Sequence, residues 1–82
     1  MKIDADPATK AIYFRLQDSP IVESEEVAPG IVYDFNESNE VVGIEILNLD
    51  CKTPAQIKKL NVHFSSEDKS FLREVLSLVV LA

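Results

Sequence analysis

Two side chains in this 82-residue chain are suited to covalent or acid–base chemistry, and there is one of each: Cys51 and His63. An imidazole beside a thiol takes its proton and makes it a nucleophile, and Asp50 would complete such a set as the acid. The local signatures of cysteine enzymes are absent around Cys51, and nearness in sequence does not place side chains together. No catalytic residue is assigned. Cys51 reads as a small semi-buried residue and His63 as a surface residue or one adjacent to the Ser65-Ser66 cap. Carboxylates offer a second chemistry, because hard cations prefer several converging oxygens, and Asp4, Asp6 and Asp18 fall near strand ends. Their spacing matches no calcium loop and the required glycine is missing, so they read as solvated turn and edge carboxylates and no metal ligand is assigned. With only Gly30 and Gly43 in the chain, no glycine-rich phosphate loop can be built. P-loop and Rossmann readings are excluded, and no cofactor is expected.

Charge narrows the partners. Residues 1–50 carry eleven acids against three bases, a net of −8, whereas residues 51–82 carry five bases against three acids, a net of +2. Nucleic-acid affinity depends on neutralising phosphates, which an acidic half repels, so no nucleic-acid partner is expected. A basic protein is the electrostatic alternative. Nothing approaches the roughly 20 apolar residues that span a bilayer, so no membrane partner is expected. A lone cysteine and the lack of a signal-like N-terminus point to a reducing, cytoplasmic location.

Any site must be held by a small fold, and the sequence reads as a single domain over residues 1–82. Its core is thin for that length, so association with a second copy is a natural way to gain stability. Ala28 to Leu47 is the organising stretch: Pro29-Gly30 opens it, Ile31 to Phe35 runs out, Asn36 to Asn39 turns, and Val41 to Leu47 runs back. Pairing Phe35 with Glu40 sets Tyr33 opposite Val42 and Ile31 opposite Ile44, gathering the apolar residues on one face. Asn39 is the turn residue best able to take positive φ. A first hairpin comes from Met1 to Asp4 and Ala11 to Leu16, joined by the Asp6-Pro7-Ala8-Thr9 turn. Tyr13 faces away from Ile12 and Phe14, either to anchor an interface or to cover a neighbouring strand. Glu45 lies on the same outer face, where Arg15 or a partner's base could meet it. The glutamate-rich Ile21 to Val27 reads as an irregular edge segment.

Beyond Asp50 the pattern becomes helical. Thr53-Pro54 resembles a cap and first helical turn, with Ala55 to Lys59 completing a short helix. Leu60, Val62 and Phe64 alternate as a brief extended segment. Ser65-Ser66-Glu67-Asp68 starts a helix expected to reach about Val80, with serine capping and acids at the positive end of the dipole. From Phe71 to Leu81 the apolar residues wrap well beyond one stripe, more than a sheet can cover. Phe71, Leu72, Val75, Leu76, Val79 and Val80 are therefore the interface candidates, for a homodimer or a partner protein. The fold expected is α+β, an antiparallel sheet of about four strands in two hairpins packed by a C-terminal helix in two layers.

Ala11-Ile12-Tyr13-Phe14-Arg15-Leu16, Gly30-Ile31-Val32-Tyr33-Asp34-Phe35 and Val41-Val42-Gly43-Ile44-Glu45-Ile46-Leu47 together resemble the YuzE-like bacterial domain of unknown function (DUF2283), over residues 1–50. The resemblance implies a small α+β fold without an established activity, and an antitoxin or accessory role beside small toxin-like proteins. Two positions depart from its pattern: Asn39 stands where a turn glycine is usual, and Lys10 where an acid usually precedes Ala11. The function expected is a non-enzymatic protein-interaction or self-association domain, antitoxin-like in its specific form. The alternative is a small enzyme or ligand-binding domain whose site forms at a subunit interface around Cys51, His63 and sheet carboxylates.

Overall fold

Alternating apolar residues and three tight turns build an antiparallel sheet, described here from a computed structural model over residues 2–52, 55–56 and 59–70. The strands are β1 (Lys2–Asp6), β2 (Ala11–Arg15), β3 (Glu23–Ala28), β4 (Ile31–Phe35) and β5 (Val41–Ile46). Their order across the sheet is β1-β2-β5-β4-β3. After the first hairpin the chain crosses to the far edge, and two further hairpins bring it back until β5 closes the middle. The chain separates into two compact units, Met1–Asn48 and Leu49–Ala82.

The sheet has five strands rather than about four. The glutamate-rich edge, expected to be irregular, pairs with β4 from Glu23↔Phe35 to Ala28↔Ile31. Its turn explains the pairing, which is interrupted by a register shift between Glu26 and Ala28: Pro29 presets its own φ and Gly30 takes φ 73°, the combination a tight two-residue turn requires. At the other hairpin, Asp6 Oδ1 accepts the Ala8 N–H at 3.1 Å and Lys10 turns the chain with φ 57°. Lys10 thus occupies a left-handed position that a β-carbon disfavours.

The register of the central hairpin differs from the expected one by two residues. Asn36 N–H donates to the Glu40 carbonyl and Asn39 N–H to the Asn36 carbonyl, with Asn39 at φ 62°. This is a three-residue loop with a left-handed last residue, one shorter than expected. A bulge then shifts the ladder once more, from Phe35↔Val41 to Asp34↔Gly43, leaving Tyr33 opposite Ile44 and Ile31 opposite Ile46. Because side chains alternate with period two, the two single shifts cancel in their effect on facing. The apolar face survives: Ile12, Phe14, Ile31, Val42, Ile44 and Ile46 are each at most 3 % exposed. Burial of one such side chain contributes about 1.5–3 kcal/mol.

The second unit, taken by itself, opens with a 3-10 turn over Leu49–Cys51, closed by the Lys52 N–H on the Leu49 carbonyl. Residues 55–56 are helical. Lys59–His63 is a second 3-10 helix where an extended segment was expected. Leu60 and Phe64, both buried, are four residues apart, a spacing that fits a wound backbone as well as a strand. Ser65 is the cap of the following helix: its hydroxyl accepts the Asp68 N–H at 3.2 Å and its carbonyl the Lys69 N–H. Residues 66–70 are helical. The interface candidates Phe71, Leu72, Val75, Leu76, Val79 and Val80, and the packing of a C-terminal helix in a second layer, lie outside the described residues. Among the described residues no helix is long and apolar enough to cross a membrane.

Candidate functional site

Tyr13, Gly43 and Asp34 are set side by side on the outer face by the pairings of three strands. Arg15 lies opposite Gly43, Gly43 lies opposite Asp34, and Tyr13 is two residues along β2. The Tyr13 phenol reaches diagonally over Gly43 and donates to Asp34 Oδ2 at 2.7 Å. From the edge strand, the Ser24 hydroxyl donates to Asp34 Oδ1 at 2.6 Å. One carboxylate thereby ties β2, β4 and β3 together across the back of β5. The crossing requires glycine: a β-carbon at position 43 would fall on the Tyr13 hydroxyl and lie 2.9 Å from Asp34 Oδ2.

The electrostatics keep the Tyr13 phenol a hydrogen-bond donor. Burial pushes the Tyr13 phenol above its ordinary pKa, and its hydrogen bond to the Asp34 carboxylate pushes the same way, while Arg15 partly opposes both. A phenol held in its protonated form is a donor, not a base or nucleophile. Both Asp34 oxygens already accept hydrogen bonds. Of the two roles open to Tyr13, the structure gives it the covering of a neighbouring strand. Arg15 donates through Nε to the Gln17 carbonyl at 2.9 Å and through Nη2 to the Ser19 carbonyl. It pins the chain leaving β2, and Glu45 lies opposite Tyr13 and Val32.

Asn36 plays the matching role at the hairpin end. It is the buried polar residue of the described set, 8 % exposed. Its Oδ1 accepts the N–H groups of Ser38 at 3.0 Å and Glu40 at 2.9 Å, and its Nδ2 donates to Glu40 Oε1 at 3.0 Å. The same nitrogen lies 3.4 Å from Ser19 Oγ, linking the two turns at that end of the sheet.

The outer edge has a different character. Glu23, Ser24, Glu25, Glu26 and Val27 are exposed, and among the described residues the edge of β3 away from β4 pairs with no other strand. The exposed large apolar residues, Ile21 at 41 %, Val22 at 63 % and Val27 at 45 %, flank these glutamates on either side.

The residues with nucleophilic or metal-binding chemistry are each described by their own surroundings. Cys51 is exposed at the end of its 3-10 turn, not semi-buried. His63 is part-buried, and that burial lowers its pKa below the usual imidazole value. Asp4 and Asp6 are exposed on β1 and Asp18 in the loop after β2. Among the described residues no three His, Cys, Asp or Glu side chains are grouped to hold a metal ion.

Residues 2–49 match the family model described as Protein of unknown function (DUF2283). The chain belongs to this family. The match spans the sheet, and Tyr13, Ser24, Asp34, Asn36 and Gly43 all fall inside it. No curated protein and no solved structure matched the chain.

Asp34, Asn36 and Gly43 were not singled out by sequence reasoning as a connected set. Gly43 carried the strongest signal, because glycine inside a strand marks the close approach of another group. Asp34 carried a weaker one, as an acid at an outward strand position between two aromatics.

Proposed function

We propose that this chain is a non-enzymatic protein-interaction domain acting in the cytoplasm, whose partner is a basic protein. The carrying observation is β3: it pairs with β4 on one side, has no partner strand on the other among the described residues, and carries three exposed glutamates flanked by the exposed large apolar residues of the described set. Monomers seldom collect apolar exposure in one place unless something binds there. The net −8 of residues 1–50 supports a partner of opposite sign, since complementary charge speeds encounter and rejects wrong partners. In its specific form the reading is antitoxin-like, the acidic domain neutralising a small basic toxin-like protein. The apolar surplus of residues 71–81 supports self-association as a dimer alongside this role.

The test is purification of the tagged chain from cells at low salt, with mass spectrometry and light scattering. The expected result is one basic protein present in stoichiometric amount and released as salt is raised. A monomer that retains no stoichiometric partner at low salt overturns the proposal.

A further inference from the structure

We propose that the partner binds by strand addition: a lysine- or arginine-rich extended segment pairs with the free edge of β3 and becomes a sixth strand. This rests on the interaction reading above and specifies where and how the contact is made.

A sheet edge offers a row of backbone donors and acceptors to any chain that can lie along it. β3 offers its edge over Glu23–Glu26, up to the register shift between Glu26 and Ala28. Side chains along the strand decide which chain can use it. Glu23 and Glu25 lie opposite Phe35 and Tyr33, whereas Ser24 and Glu26 lie opposite Asp34 and Val32. Acids therefore stand on both faces of the strand, and an added strand meets negative charge whichever way its side chains point. Cations on both of its faces answer that arrangement, and apolar residues at its ends would cover Val22 and Val27.

The same pattern rejects pairing with the β3 edge of a second copy. Two β3 strands paired antiparallel about Ser24, about Glu25, or between Glu25 and Glu26 set glutamate opposite glutamate. Directly opposed like charges destabilise a strand pair. The edge thus discriminates by repulsion as well as attraction, refusing itself while accepting a strand of opposite sign. Its geometry is held from behind, because Ser24 is hydrogen-bonded to Asp34 and Asp34 to Tyr13. The backbone presented to the partner is braced to the middle of the sheet before binding.

The experiment titrates the ¹⁵N-labelled chain with the capped peptide acetyl-Val-Lys-Lys-Thr-Lys-Val-amide. One control replaces its lysines with glutamates, and a second carries alternate N-methyl groups that keep the charge but block strand pairing. The expected result is amide shifts concentrated on residues 22–27 with the lysine peptide, lost with both controls. The shifts should also weaken with salt, as the screening length falls from about 10 Å at 0.1 M to about 3 Å at 1 M. Equal shifts with the N-methylated peptide, or shifts centred on β1 or the outer face, overturn strand addition at β3. The triple variant E23K/E25K/E26K, checked for folding by its amide spectrum, separates this inference from the interaction reading. Loss of a co-purifying basic protein in that variant supports the edge. Its full retention overturns the edge and leaves the interaction reading standing.

Discussion

Replacing Gly43 with alanine should destabilise the protein, although strand propensity alone predicts the opposite. Exchanging glycine for alanine inside a strand ordinarily gains about 0.5–1 kcal/mol through chain entropy. Here the added methyl would occupy the place of the Tyr13 hydroxyl and crowd Asp34 Oδ2 at 2.9 Å, so the phenol must swing away. Breaking a hydrogen bond to a charged acceptor costs about 1.5–3 kcal/mol. Forcing a methyl into a filled site costs about 1–3 kcal/mol. Set against the entropy gain, Gly43→Ala should lose about 2–4 kcal/mol. Tyr13→Phe, which removes the donor without the crowding, should lose about 1.5–3 kcal/mol. The two changes destroy the same bond, so their combination should cost at least about 1 kcal/mol less than the sum. Urea unfolding followed by far-UV circular dichroism measures all four states, which suits a chain without tryptophan. A neutral or stabilising Gly43→Ala, or a cycle additive to within about 0.5 kcal/mol, would refute the brace.

Asn36→Ala removes the acceptor of two backbone N–H groups and the donor to Glu40, so urea unfolding should show a loss of about 1–3 kcal/mol. Lys10→Gly should stabilise by about 0.5–1 kcal/mol, because relief of the left-handed conformation exceeds the entropy cost of glycine; a lowered midpoint would contradict the strain at φ 57°. Burial raises the phenol pKa of both Tyr13 and Tyr33 above 10.0, with Asp34 adding to the shift at Tyr13. Above that value the unfolded chain has released protons that the folded one still holds, so stability should fall as pH rises through 10 and on to the folded pKa values. Ultraviolet titration of the tyrosines, with Asp34→Asn lowering the Tyr13 transition, checks both the direction and its cause.

The turns and faces of the sheet were readable because they depend on neighbours in sequence. Asn39 tolerates positive φ, Asp6-Pro7-Ala8-Thr9 has turn chemistry, and alternation assigns Ile12, Phe14, Ile44 and Ile46 to one face whatever the register. The register itself was not readable. It depends on a loop one residue shorter than expected and on a bulge that inserts Val42 between Val41 and Gly43, and period two conceals a shift of two. The fifth strand was hidden for a related reason: isolated, Glu23 to Ala28 is a poor strand, and it pairs because the Pro29-Gly30 turn and the Ser24–Asp34 bond hold it against β4. Lys59–His63 went the other way, since a short apolar alternation does not distinguish strand from tight helix.

By itself the sequence determined the family, the acidic charge of the sheet half and the side-chain chemistry on offer, all of which are properties of residue type and order. Tertiary structure decided which of those residues act together. Tyr13, Ser24, Asp34 and Gly43 are separated along the chain, and only the strand order β1-β2-β5-β4-β3 brings them onto one patch of the outer face. The same order leaves β3 at an edge, turning a run of glutamates into a strand with no partner on its outer side among the described residues. Contacts between distant segments follow from pairing geometry, which residue order constrains only through the fold.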